Sequence, residues 1–427
     1  MDEIEVSLTI PTYGGESMGR LLDPLTGAGP LTGAGGRAVF VAFALPGETV
    51  RARSVDEKRG FVRAALLEVL TPSPRRIVPK CAHFGVCGGC HYQMLSYPDQ
   101  LKLKESILRD QLTRIGKIQD PPICETVPSP DEWNYRNHVQ FHLTEDGRLG
   151  LIAAGDRLAE RSRQSPRAVI PINECHLPEA SINELWPQLQ FDADTSLERV
   201  SLRAGDELML VLESDSPETP EVEVEAEISV VHLSGDDSVV LAGDGHVLID
   251  VLGRSFRVSA GAFFQVNTAM VAKMVEYLLS NLRVLPSTIL LDVYCGVGLF
   301  SAFFAPKVKQ VIGIEISPLA CEDFGINLHE FDNVDLYEAP AEHVLPQLDL
   351  HADVVIVDPP RAGLDKKVLD AILNLGPKML AYISCDPSTL ARDAARLITG
   401  GYVLSNVTPF DLFPQTYHIE SISIFER

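Results

Sequence analysis

LLDVYCGVGLFSAFFA, residues 290–305, reads as an apolar strand ending near Asp292, a turn carrying Gly296 and Gly298, and the start of a helix. Glycine lets a backbone approach a ligand closely where a helix N-terminus offers unpaired N–H groups. The following apolar run, QVIGIE, ends on Glu315. An acid about twenty residues beyond such a turn is placed to accept from both hydroxyls of a ribose. The third glycine of a G-x-G-x-x-G fingerprint is missing, and D-x-x-x-G-x-G stands instead. That pattern favours S-adenosylmethionine over a dinucleotide, with an ordinary strand–turn–helix connection as the plainer reading.

Outward from this turn, residues 263–427 alternate apolar runs with helical patterns, starting with a helix at 268–282. Such alternation predicts a parallel, doubly wound, Rossmann-like α/β sheet with its ligands at the carboxyl ends of the strands. Two further runs end on chemically useful residues. VVIVDPPRAGL (354–364) passes straight into Asp358, whose following prolines stiffen the loop and remove amide donors. AYISCDPSTLARD (381–393) ends on Cys385 just before a helix start, whose dipole favours a thiolate. In PFDLFPQTYHIESISIFER (409–427), His418 and Glu420 share a face if the segment is a strand. Opposite Cys385, Glu420 becomes a candidate base.

Upstream, residues 1–75 carry the short runs EVSLTI, RAVFVAFAL, TVRARSV and FVRAALLEVL, which fit a five-stranded OB-like barrel. TGAGPLTGAGG (26–36) reads as a loop inserted between strands. Residues 76–262 form a central, mainly β region, with VQFHL, GRLGLI, ELMLVLES, VEVEAEISVVHL and SFRVSAGAFFQVN as strands. It is interrupted by a helical pattern over 93–117, where Leu101, Leu103, Ile107, Leu108, Leu112 and Ile115 recur at helical spacing.

The net charge of −23 argues against wrapping a polyanion, but the excess is local. Residues 181–250 hold 17 acids and 2 bases, whereas residues 1–80 hold 9 and 10. No apolar stretch is long enough to span a membrane and the N-terminus is no secretory signal, so a cytoplasmic protein is expected. Cys81, Cys87 and Cys90, with Cys175 far downstream, then point to a metal or redox site rather than a disulfide framework. One C-x-x-C knuckle with two outlying cysteines leaves zinc and an iron–sulfur cluster both open.

Taken in order, the cysteine set, YRNHVQF (135–141), FFQVN (263–267), LDVYCGVG, IVDPPRAGL, SCDP and HIES resemble the RNA 5-methyluridine methyltransferases over nearly the whole chain. The resemblance is strongest to their iron–sulfur branch, which includes 23S rRNA (uracil-5-)-methyltransferases. It implies that Cys385 is the nucleophile and Glu420 the general base. It places Gln265, Tyr294, Glu315, Glu342 and Asp358 at the S-adenosylmethionine, and makes Cys81, Cys87, Cys90 and Cys175 ligands of a 4Fe–4S cluster. Residues 1–75 then resemble a TRAM domain, and the helical stretch near 93–125 packs on the catalytic domain. The implied partner is structured RNA, with 23S rRNA first and tRNA second, bound by a monomer. Leu299 departs from the family, which often has Asn there.

Uracil C5 is a weak nucleophile, so methylation there needs a thiolate on C6 and a base for the C5 proton. Competing readings are an amino-group methyltransferase using Asp358-Pro-Pro and a non-catalytic iron–sulfur RNA-binding protein. Phe263 and Phe264 are either core or a base-stacking pair, and Arg136 is either a phosphate contact or plain surface.

Overall fold

The computed structural model describes residues 3–21, 36–155, 168–193, 195–223, 225–235 and 237–427. The TGAG repeat lies outside them. The chain forms two compact units. One comprises Met1–Ile107, Leu151–Glu174 and Phe413–His418, and the other Leu108–Gly150, Cys175–Leu412 and Ile419–Arg427.

The first unit begins with β1 (Glu3–Pro11), β2 (Glu16–Arg20), β3 (Ala38–Ala42), β4 (Thr49–Glu57) and β5 (Phe61–Thr71), closed into a barrel in the order β1-β2-β3-β5-β4. Period-two alternation builds it: Val6, Leu8, Val39, Val41, Val50, Ala52, Val62 and Ala64 point inward and are buried. The sequence pattern marks four of these strands. The fifth, β2, contains ESMGR, too polar to stand out, and is placed by pairing with β1 and β3. Arg37, Arg51, Arg53, Arg63 and Arg76 are ion-paired with Glu57, Glu68, Glu3, Glu16 and Glu48. Much of the barrel's positive charge is therefore neutralised within it.

Helix α1 (Tyr97–Arg114) fills most of the expected helical stretch. Within the first unit, its Gln100 side chain holds Gln415 through two bonds of 2.9 Å, one to the backbone N–H and one to Oε1. The N–H groups of His91 and Tyr92 both donate to the Gln415 carbonyl.

The next elements are β6 (His138–Leu143), β7 (Leu149–Ile152), β8 (Val169–Pro171), α2 (Ala180–Leu185), β9 (Leu197–Ala204), β10 (Leu208–Ser214), β11 (Ser229–Ser234) and β12 (Asp237–Ala242). In the second unit β12, β11, β10, β9 and β6 are hydrogen-bonded in that order, and β7 pairs with β6. Among the described residues of the expected strand VEVEAEISVVHL, strand begins at Ser229. Alternating glutamates from Glu221 to Glu227 precede it, and strands disfavour such a run of like charge. A hairpin of β13 (His246–Val251) and β14 (Arg254–Ser259) follows. Its turn residues Leu252 and Gly253 both have positive φ, 52° and 78°, as a tight hairpin requires.

The rest of the second unit comprises α3 (Thr268–Asn281), β15 (Ile289–Val293), α4 (Leu299–Phe304), β16 (Gln310–Glu315), α5 (Pro318–Asn327), β17 (Val334–Glu338), α6 (Ala341–Val344), β18 (Val354–Val357), α7 (Lys366–Leu375), β19 (Met379–Ser384), α8 (Pro387–Thr399), β20 (Val403–Phe410) and β21 (Glu420–Glu426). Its sheet runs β17-β16-β15-β18-β19-β21-β20. The first five strands are parallel, and β21 is antiparallel to both its neighbours. This is the expected Rossmann-like α/β fold. The strands Val354–Val357 and Met379–Ser384 are buried at every position, which is why they read as unbroken apolar runs. Strand order reverses between β15 and β18, and that switch point opens the ligand crevice. Among the described residues no helix is long and apolar enough to cross a membrane.

Candidate active site at the strand ends

Four parallel strands deliver the site. Asp292 is the penultimate residue of β15, Glu315 ends β16, Asp358 directly follows β18, and Cys385 directly follows β19. Strand β21 enters from the other direction: Ser421 pairs with Ser384, so Glu420 begins its strand beside the position where Cys385 leaves its own. The antiparallel register, rather than any local motif, brings these two residues together.

Tyr294 to Gly298 make the turn after β15. Tyr294, Gly296 and Gly298 have φ of 67°, 54° and 88°, all left-handed. The two glycines serve different ends. A Cβ on Gly298 would lie 2.3 Å from Leu328 Cδ1 and 2.8 Å from Phe324 Cδ2, whereas one on Gly296 would meet nothing within 4 Å. Gly298 is thus demanded by packing, and Gly296 faces open space. The Glu315 carboxylate closes the turn from the next strand. It accepts Gly296 N–H at 3.0 Å on one oxygen and the N–H groups of Ile316 and Ser317, each at 2.8 Å, on the other. Glu342, in the first turn of α6, raises the Tyr294 phenol electrostatically, after burial, which is the larger cause.

Asp292 is fully buried; its Oδ2 accepts the Ser301 N–H and hydroxyl, at 3.1 and 2.7 Å. Its Oδ1 has no hydrogen-bond partner among the described residues. Burial pushes Asp292 up to about 6 despite the Ser301 bonds, and Glu315 adds to the rise. Asp358 is pushed up to about 7, by burial and then by Asp292, against the pull of Gln265 Nε2 at 3.4 Å from its Oδ2.

The loop after Asp358 is fixed to α8. Asp393 accepts the Leu364 N–H at 2.9 Å, Thr389 donates to the Arg361 carbonyl at 3.2 Å, and the Tyr382 hydroxyl donates to Asp393 at 2.9 Å. This holds Arg361 near the Cys385–Glu420 pair. Burial and then Asp358 push Glu420 well above the usual carboxylate range, and Arg361 opposes them. Burial pushes the Cys385 thiol up to about 12, with Glu420 and Asp358 adding to the rise and Arg361 opposing it.

Two expectations are corrected here. The helix start beyond Cys385 does not favour a thiolate. Asp386, the N-cap of α8, fills the helix end with its own carboxylate by accepting from Ser388 and Thr389 N–H, and it raises the thiol further. His418 is not on a strand with Glu420, because β21 starts at Glu420. Its ring instead packs against Phe413 and Tyr417 at 5.3 and 4.4 Å. Among the described residues no group of three or more His, Cys, Asp or Glu side chains is found that could hold a metal ion. Cys81, Cys87 and Cys90 belong to one unit and Cys175 to the other, and Cys87 Sγ accepts the Gly89 N–H at 3.3 Å.

Of the expected site residues, the structure sets Gln265 against Asp358, Tyr294 near Glu342, and Cys385 near Glu420. Leu299 is buried as the first residue of α4. Arg361 and Asp292 were not singled out as site residues. Their position inside the two motifs is the signal that was there to read. A cavity of about 520 Å³ lined by Arg254, Leu279, Phe303, Lys307 and Phe331 contains none of these groups.

Residues 225–427 match the model of the tRNA (uracil-5-)-methyltransferase family. An RNA methyltransferase of Thermosynechococcus vestitus is 32% identical, over 99% of this chain and 97% of its own. One of Halalkalibacterium halodurans is 34% identical over 92% of each. The solved Pyrococcus abyssi tRNA (uracil-54, C5)-methyltransferase, in complex with S-adenosyl-L-homocysteine, shares the fold with a TM-score of 0.72. It is 21% identical, over 99% of this chain and all of that one. With full-length relatives above 30% identity and a matching catalytic half, the chain belongs to the RNA (uracil-5-)-methyltransferase family.

Proposed function

We propose that this protein methylates C5 of a uridine in structured RNA, with 23S rRNA as substrate and S-adenosylmethionine as methyl donor. The observation that carries this reading is Cys385 facing Glu420 across β19 and β21, beside a glycine turn and buried acids. An amino-group methyltransferase has no use for that pair.

The cleft suits the donor. Gly296 leaves its side of the turn open, Glu315 stands where a ribose is held, and the unpartnered Asp292 Oδ1 with Asp358 favours a cationic ligand. Gln265, Tyr294, Glu315, Glu342 and Asp358 would hold it. Bound there, S-adenosylmethionine supplies a methyl group on a positively charged sulfur. Arg361 works in the same direction, lowering both Cys385 and Glu420.

Cys385 gives its proton to solvent and its thiolate forms a bond to C6, sending the C5–C6 electron pair toward O4 and making C5 nucleophilic. Once C5 carries the methyl group, Glu420 removes the C5 proton. The C5–C6 double bond re-forms, the Sγ–C6 bond breaks, and Cys385 leaves as thiolate. The base must leave its stack to reach this cleft, at a cost of a few kcal/mol that is least in loops.

The two glycines separate fold from cofactor. Gly298→Ala is expected to cost roughly 1–3 kcal/mol of stability through overpacking, seen as a lower melting temperature. Gly296→Ala is strained by its left-handed φ of 54° but meets no neighbour, so it is expected to lose less stability than Gly298→Ala while binding S-adenosylhomocysteine far more weakly. Equal affinity in wild type and Gly296→Ala would contradict this placement of the cofactor.

The 4Fe–4S cluster rests on the cysteine order alone and takes no part in this chemistry. Iron and acid-labile sulfide content of anaerobically purified protein decides it. The three-part division at 75 and 262, with a TRAM-like RNA-binding barrel, belongs to the proposal, as does a monomer in the cytoplasm.

The testing experiment offers 5-fluorouridine-substituted 23S rRNA and tRNA together with S-adenosylmethionine. Fluorine at C5 blocks proton removal, so a covalent protein–RNA complex persists under denaturing conditions. A complex with the ribosomal RNA is expected. A complex with tRNA alone would change the substrate and keep the chemistry, and none with either would remove the uracil reading.

A further inference from the structure

We propose that Asn137, the asparagine of YRNHVQF, is the positioning residue of the cofactor cleft, fixing the backbone at Gln265 so that its side chain meets Asp358. The proposal rests on the reading of Gln265 and Asp358 as cofactor residues.

Residues 260–267 belong to no helix or strand, so their backbone groups need partners from elsewhere. Asn137 supplies three bonds at one place. Its Nδ2 donates to the Gln265 carbonyl at 3.1 Å and to Thr268 Oγ1 at 2.9 Å, and its N–H donates to the Val266 carbonyl at 2.9 Å. The residue is 2% exposed, and its own carbonyl accepts the Ala204 N–H at 2.7 Å. The strand ends of β6 and β9 thus grip the carbonyl of Gln265 and the one after it. The flanks are fastened separately. Arg203 donates to the carbonyls of Ser259 and Ala262, at 3.1 and 2.8 Å. Asn267 caps α3 and donates to Ser129 Oγ and the Leu412 carbonyl.

Asn137 is therefore the group that sets the loop at Gln265 itself. The contact it controls is sensitive, because 3.4 Å is near the limit of a hydrogen bond and a few tenths of an ångström would break it. The same Gln265 bond is what holds the Asp358 carboxyl down against burial and Asp292. The Gln265 contact requires an amide: its carbonyl can only accept, so a carboxylate of equal size offers it nothing, although the Thr268 hydroxyl could still donate to that carboxylate.

The experiment measures S-adenosylhomocysteine affinity by calorimetry, with urea midpoints alongside. It uses full-length wild type, Asn137→Ala, Asn137→Asp, Asn137→Ser, Gln265→Ala and the double variant Asn137→Ala/Gln265→Ala. Asn137→Ala and Asn137→Asp are expected to bind about tenfold to a hundredfold more weakly than wild type, as misplacement without lost contact produces. Asn137→Ser tests the site if the others fold poorly, and is expected between them and wild type. The double variant is expected within about twofold of Gln265→Ala, since the two act through one contact. Additive losses, or unchanged affinity with a lowered urea midpoint, would make Asn137 merely structural and overturn the proposal. Wild type that does not bind S-adenosylhomocysteine would instead overturn the cofactor reading itself.

Discussion

Cys385→Ala is expected to lower turnover by at least about 10⁴-fold while leaving S-adenosylhomocysteine affinity within about twofold. Without a bond at C6, uracil C5 has no electron density with which to take a methyl group, so the loss falls on the chemical step. The same variant is expected to form no covalent complex with 5-fluorouridine RNA. The thiol's setting adds a pH signature. Its pKa is pushed up to about 12 by burial, Glu420 and Asp358, so only a small fraction is thiolate at neutral pH. In the free enzyme kcat/KM should therefore keep rising between pH 6 and 9, by up to about tenfold per unit. A plateau beginning below pH 7 would mean that the thiol is already ionised and that Arg361 outweighs its acidic neighbours. A variant that turns over normally would move Cys385 out of the chemistry altogether.

Glu420→Gln carries the second large effect. The amide fills the same space and cannot take a proton, so turnover is expected to fall by about 10²–10⁴-fold. The methylated adduct should accumulate on Cys385, visible as a covalent complex with ordinary, unfluorinated RNA. Arrest after addition separates this variant from Cys385→Ala, which never adds. Stability should move the other way. The folded state raises the Glu420 pKa above its ordinary 4.5, so the folded chain binds more protons than the unfolded one above that pH. Its contribution to stability is therefore lost as pH rises from about 4.5 toward the folded pKa. Glu420→Gln removes that penalty and is expected to melt higher than wild type at pH 8. A lower melting temperature together with lost activity would indicate that Glu420 is structural.

What the sequence made legible follows from how each element is stabilised. Strands such as Val354–Val357 are buried on both faces, so an unbroken apolar run announces them, and the residue that ends the run is at the ligand edge. Glu315, Asp358 and Cys385 are readable for that reason. Glu420 is readable only on a condition: it is a candidate base if it lies opposite Cys385, which depends on β21 pairing with β19 in one antiparallel register, and the family resemblance supplied the role. Strands β2 and β9 escaped because their partners define them: LERVSLRA carries Glu198, Arg199 and Arg203 within a strand whose last five residues are nonetheless buried. The helix after Cys385 was read by its dipole alone, and its own capping Asp386 reverses that reading. The role of Asn137 has no local signature, because its partners lie about 130 residues away.

The most direct test incubates the purified protein with methyl-labelled S-adenosylmethionine and total RNA from a strain lacking its own 5-methyluridine, then analyses nucleosides by mass spectrometry and maps the position. Label is expected in 5-methyluridine at a single site in the large ribosomal RNA. Label on an exocyclic amine, or no 5-methyluridine from protein that binds S-adenosylhomocysteine, would contradict the uracil reading.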